Sequence, residues 1–124
     1  VTITRFEEIK SWQEARSLTS AIYVATREGD FSRDYCLRDQ VRRASVSIMA
    51  NIAEGFGRSS RREFAQFLGI ANGSALEVQS HLYVARDLGY IDAAQFEALM
   101  EKAHAVSRLI GGMINHLNKT LETS

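Results

Sequence analysis

Apolar residues recur along this chain at steps of three and four, and each periodic stretch is bounded by residues that start or stop helices. Ile9, Trp12, Ala15, Leu18, Ile22 and Ala25 predict a first helix over about residues 5–28. Thr4-x-x-Glu7 offers it a capping box, in which two residues exchange side-chain-to-backbone hydrogen bonds, and Gly29 offers it a stop. Leu37, Val41, Ala44, Ile48 and Ile52 predict a second helix over about 34–54, reached through the link Asp30-Phe31-Ser32-Arg33. Gly55-Phe56-Gly57 ends it, glycine permitting a sharp change of direction. A third helix over about 60–88 opens with Ser60-x-x-Glu63 and carries Phe64, Phe67, Leu68, Ala71, Ala75, Val78, Leu82 and Ala85 before Gly89. The fourth, over about 92–120, opens with Asp92 and Gln95 as a box and Ile91 and Phe96 as a hydrophobic staple. Phe96, Leu99, Ala103, Val106, Ile110, Met113, Leu117 and Leu121 follow in heptad-like order. Short links between long helices make antiparallel neighbours, so the expected fold is an all-α, up-down-up-down four-helix bundle, one domain over residues 1–124.

Composition agrees with that pattern. Proline is absent, although average usage of about 5% would supply roughly six in a chain of this length. The single cysteine, Cys36, excludes a disulfide framework and a cysteine-rich zinc module. No apolar run approaches the roughly 18 residues that would span a membrane, and Val1 to Glu8 lack the apolar core of a signal peptide. A cytoplasmic chain with no membrane partner is expected.

The second and third helices carry more than a core stripe. Gln40, Arg43, Ser47, Asn51 and Glu54 form a polar row beside the apolar one, while Val46, Met49 and Ala53 widen the apolar part. On the third helix Gln66, Gly69, Gly73, Glu77 and Ser80 repeat the same spacing. Two glycines inside a helix cost about 1 kcal/mol each relative to alanine, and close backbone approach to another element is the natural compensation. Gln40, Arg43, Asn51, Glu54, Gly69, Gly73 and Glu77 are therefore expected to form an oligomer interface or polar seam, with Glu77 paired to Arg43 or Gln40. The other reading is that both rows face water.

Charge balances overall, with 15 Lys+Arg against 15 Asp+Glu, so the whole chain gives no reason to expect a polyanion. It is uneven locally: between residues 33 and 62 seven arginines face only Asp34, Asp39 and Glu54, a net of +4. Arg58, Arg61 and Arg62 flank the start of the third helix, where the helix dipole disfavours cations by about 0.3–1 kcal/mol each. An incoming anion would offset that cost, so the turn is a candidate phosphate site, with Arg38 and Arg42 as further contacts. Gly55-Phe56-Gly57-Arg58 is neither a P-loop nor a dinucleotide fingerprint. A solvated basic loop is the alternative.

Catalysis is not expected. Glu101-x-x-His104 is a single Glu-x-x-His motif lying off the core stripe, where a di-iron bundle needs two such motifs and two further carboxylates. Glu77 and His81 are four residues apart with no second histidine to complete a set, and His116 is expected in solvent. Cys36 has no base beside it, and no serine has a visible His and acid partner. Neither metal nor cofactor is expected.

The strings Gln40-Val41-Arg42-Arg43-Ala44-Ser45-Val46-Ser47-Ile48 and Asn51-Ile52-Ala53-Glu54-Gly55-Phe56-Gly57-Arg58 resemble the signature of the "four helix bundle protein" family. That family includes proteins encoded by intervening sequences within bacterial large-subunit ribosomal RNA genes. Phe64 through Ser74 with Glu77, and Phe6 through Ala15 with Trp12-Gln13, resemble its other blocks. Ser32 and Cys36 depart from it, standing where many members have proline and glycine, while Ala50 is ordinary variation. The resemblance implies a homo-oligomer, typically a ring of five. It extends to the accessory protein of diversity-generating retroelements, a pentameric bundle that binds nucleic acid and its reverse transcriptase. It marks Arg42, Arg43, Asn51, Glu54, Arg58 and Glu77 as signature polar residues without giving them roles. Two functions remain open: an oligomer that holds RNA or DNA backbone through its arginines, and a protein-interaction scaffold.

Overall fold

The computed structural model describes residues 2–123, and the side chains of residues 2–119. A 3-10 turn at Phe6–Glu8 leads into α1 (Lys10–Ala25), α2 (Gly29–Arg33), α3 (Tyr35–Phe56), α4 (Arg61–Asp87) and α5 (Ala93–Thr123). The four long helices pack as a square in which α3 touches α1 and α4, and α5 touches α4 and α1. Contacts between distant residues fix the antiparallel sense. Thr19 bonds to Ser45 of α3, Ser47 to Ser74 of α4, Gln79 to Ser107 of α5, and Lys102 of α5 to Ser17. The predicted stripes form one core: Leu18, Ile22, Val41, Ile48, Ile52, Leu68, Val78, Leu82, Val106 and Ile110 are all essentially inaccessible to water. Leu121 of the predicted stripe lies outside the residues whose side chains are described.

The ends of the helices follow their capping chemistry, with two corrections. Asp92 and Gln95 form the reciprocal box as predicted, each backbone N–H donating to the other's side chain at 2.9 and 2.8 Å. Ser60 accepts from the Glu63 N–H at 3.1 Å. Gly89, at φ +75°, ends α4, and the N–H of Tyr90 donates back to Ala85 O at 2.9 Å. The Thr4–Glu7 box does not form. Thr4 donates instead to Glu8 Oε1, and the Glu7 carbonyl is taken by the Gln13 side chain, so α1 begins at Lys10, five residues later than the periodicity predicts.

The second correction concerns glycine. α3 runs through Gly55 to Phe56, and Gly57 keeps a right-handed conformation, so neither glycine supplies an unusual backbone angle at the turn. A side chain at Gly55 would place its Cβ 2.6 Å from Phe67 Cβ. The residue is glycine because α4 passes against the backbone there. The link before α3 is also more ordered than its sequence suggests: Gly29–Arg33 is a helical turn that buries Phe31 against Tyr90.

Candidate anion site at the α3–α4 turn

The turn between α3 and α4, the N-terminal segment and the C-terminal half of α5 meet at one end of the bundle. Ser60 caps α4, leaving the first two N–H groups of the helix, on Arg61 and Arg62, without an intrahelical acceptor. The side chains of these two arginines are exposed, and no acidic group among the described residues lies within 4.0 Å of either. Arg58 is partly engaged, donating to Glu54 Oε1 at 2.8 Å with its guanidinium 4.8 Å from the Phe67 ring centre. Glu54, placed in the expected seam, is thus the turn's own counter-charge.

Arg38 and Arg42 sit elsewhere. They lie near the N-terminus of α3, roughly 21–27 Å of helix from the turn at 1.5 Å per residue, and both guanidinium groups are already in use. Arg38 donates to Asp39 Oδ1 and to the Ser32 carbonyl, each at 2.9 Å, and lies over the Tyr35 ring. Arg42 donates to Thr26 Oγ1 at 2.7 Å and lies 4.5 Å from the Tyr23 ring centre. Thr26 is fully buried and donates in turn to Ile22 O at 2.8 Å, so Arg42 ties the end of α1 to α3. Within the chain the five arginines form no single patch.

The seam residues divide as well. Ser47 and Asn51 are half-buried where α3 meets α4: Asn51 Nδ2 donates to Ser47 O and Oγ, and Ser74 Oγ lies 3.1 Å from Ser47 Oγ. This part of the polar row is internal to the bundle. Within the single chain Glu77 does not pair with Arg43 or Gln40. All three line a shallow groove of about 230 Å³, but the Glu77 carboxylate lies 3.1 Å from the imidazole of His81, its neighbour one turn on. Gly69 and Gly73 face outward, and a Cβ on either would meet nothing within 4 Å.

Sequence reasoning missed Arg108, while His116 is exposed as expected. Both line a cleft shared with Arg61, so α5 brings a further guanidinium and an imidazole to the end of the bundle where the turn lies. Arg61 and Arg108 are about fifty positions apart, and the antiparallel order expected from the sequence was the available signal, since it puts the C-terminus of α5 beside this turn. Glu101 and His104 are both exposed, and no three His, Cys, Asp or Glu among the described residues are grouped to hold a metal. No described helix is long and apolar enough to cross a membrane.

These features define an all-α four-helix bundle with arginines concentrated at one inter-helix turn. The model of the 23S rRNA-intervening sequence proteins matches residues 7–112, and the chain belongs to that family. A similar solved structure is a protein of unknown function from the S23 ribosomal protein family of Bacteroides thetaiotaomicron, with a TM-score of 0.78 at 23% identity, covering 85% of this chain and 95% of the other. That likeness shows the fold. No curated protein matches the chain.

Proposed function

We propose that this protein is a non-enzymatic, oligomeric helical bundle that holds nucleic-acid backbone at the α3–α4 turn. The observation that carries this reading is the pair Arg61 and Arg62, two guanidinium groups with no acidic partner among the described residues beside two N–H groups with no intrahelical acceptor at the start of α4. Phosphate satisfies both kinds of donor at once. Arg58 adds a third cation by exchanging Glu54 for a phosphate oxygen. Arg38 and Arg42 act mainly as structural ties in this reading. Contacts of this kind position a polyanion without reading its sequence, so RNA and DNA both qualify.

Assembly into a homo-oligomer, with five copies as the family resemblance implies, would repeat the turn around a ring and turn a neutral chain into one with a basic rim. The outward face of α4 supports association. Ile70, Leu76 and Leu88 are each more than half exposed there, alongside Gly69 and Gly73. The same face favours the second reading, a protein-interaction scaffold with no nucleic-acid partner.

Fluorescence anisotropy of labelled duplex DNA and structured RNA, titrated with the protein at about 50 to 300 mM salt, separates the two. Binding that weakens steeply with salt and disappears when Arg58, Arg61 and Arg62 are changed to alanine is the expected result. No binding to either at the lowest salt sinks the nucleic-acid reading and leaves the scaffold.

A further inference from the structure

The late start of α1 leaves a gap in the square. From Thr2 to Ile9 the chain forms only one 3-10 turn, packed against α1 and α3, and Thr2, Ile3 and Ile9 face the C-terminal half of α5 across open space. What remains is a cleft of about 730 Å³, within the roughly 300–1,000 Å³ typical of small-ligand sites. Ile9, Phe56, Phe64 and Leu117 form much of its wall, the two phenylalanines packed edge to face with centres 6.0 Å apart. Arg61 and Arg108 also line it, and among the described residues neither has an acidic partner and no Asp or Glu contributes to the lining. Gly112 lines it too, and a Cβ there would meet nothing within 4 Å. A glycine deep inside the longest helix carries a helix-propensity penalty; here the missing side chain is part of what keeps the cleft open.

We propose that this cleft binds an anionic amphiphile, a medium-chain carboxylate whose chain lies along the apolar wall and whose head meets Arg61 and Arg108. The two halves of the ligand follow from the two halves of the site. A polar body would lose its water against Ile9, Phe56, Phe64 and Leu117 without regaining hydrogen bonds. A cationic head would face two guanidinium groups and no carboxylate of the described residues. The inference goes beyond nucleic-acid binding at the turn. Arg61 is common to both, so the test varies Arg108 and Gly112 and leaves the turn intact.

Isothermal titration calorimetry of the full chain with octanoate, decanoate and dodecanoate, each below its micellar concentration, measures the site directly. One site per chain is expected, with affinity rising about fourfold per added methylene until the wall is covered. Arg108→Ala should weaken dodecanoate binding by about tenfold or more, as expected for loss of a hydrogen bond to a charged group. Gly112→Leu should abolish it while leaving the urea midpoint unchanged or raised, which separates a filled cleft from an unfolded chain. Absence of saturable dodecanoate binding overturns the proposal. So does binding that survives Gly112→Leu, or equal affinity for dodecyltrimethylammonium, which has the same chain and the opposite charge.

Discussion

Arg42 shows how much one side chain can contribute at a helix junction. Its Nε reaches the fully buried Thr26 hydroxyl and its guanidinium covers Tyr23, so it closes the corner where α1 ends and satisfies a polar group that water cannot reach. Arg42→Ala should lower stability by about 1–3 kcal/mol, read from the urea midpoint, because a charged hydrogen bond and a cation–π contact are lost together. Lysine should recover little, since it cannot present an Nε–H at that angle while stacking. Asn72 makes the opposite case. Its Oδ1 is buried with no hydrogen-bond partner among the described residues, and an unmade bond of that kind costs about 1–3 kcal/mol. Asn72→Leu should therefore raise the thermal midpoint, and an unchanged or lower midpoint would show that the amide earns its place elsewhere. Asp39 sets an acid limit: the hydrogen bond from Arg38 leads the effects that hold its carboxyl below the usual carboxylate range. A group depressed in the folded state stabilises above its unfolded pKa, near 4, and that contribution fades as pH falls through the folded value. The stability difference between wild type and Asp39→Asn should shrink on acidification through this range.

At the level of elements, glycines in the same kind of helix have opposite reasons to be glycine. Gly55 is small because α4 leaves no room, with Phe67 Cβ at 2.6 Å from where its own Cβ would stand. That contact is with an atom fixed by the α4 backbone, so Gly55→Ala must push the two helices apart and should cost about 1–3 kcal/mol despite the better helix propensity of alanine. Gly112→Ala meets open space and should stabilise by up to about 1 kcal/mol. Chemical denaturation of the pair gives changes of opposite sign if this geometry is right. The contrast also marks the limit of what sequence could tell. The stripes of α3, α4 and α5 were legible because periodicity encodes which face is buried, and the Asp92–Gln95 box because its partners lie three residues apart. Nothing local distinguishes Gly55 from Gly112. Phe31 likewise reads as part of a link until Tyr90, brought from the far side of α4, stacks on it. The site was legible to the same degree: Arg58, Arg61 and Arg62 are near in sequence and stay together, whereas the duties of Arg38 and Arg42 to Ser32 and Thr26 exist only once the helices have packed.

The whole molecule leaves its long outward face on α4, and the last prediction belongs there. Gly69, Gly73, Leu76 and Ser80 follow one another along that face at steps of four and three, with Ile70 and Val84 beside them, all exposed in the isolated chain. A solvated helix gains nothing from two interior glycines and loses about 1 kcal/mol with each. Another helix approaching closely over them would recover that loss and bury Ile70 and Leu76 at about 25 cal/mol per Å² of apolar surface. Because a Cβ at position 73 meets none of the described residues within 4 Å, Gly73→Leu leaves the bundle itself untouched and obstructs only such an approach. Light scattering should then report a smaller particle than wild type, while circular dichroism stays the same and the thermal midpoint of the isolated chain does not fall. A wild-type mass for Gly73→Leu would take the contact away from this face of α4. If the mass does drop, nucleic-acid affinity should fall with it even though Arg58, Arg61 and Arg62 remain, since separated chains no longer gather their turns into one rim and many weak phosphate contacts act together only when they are held together.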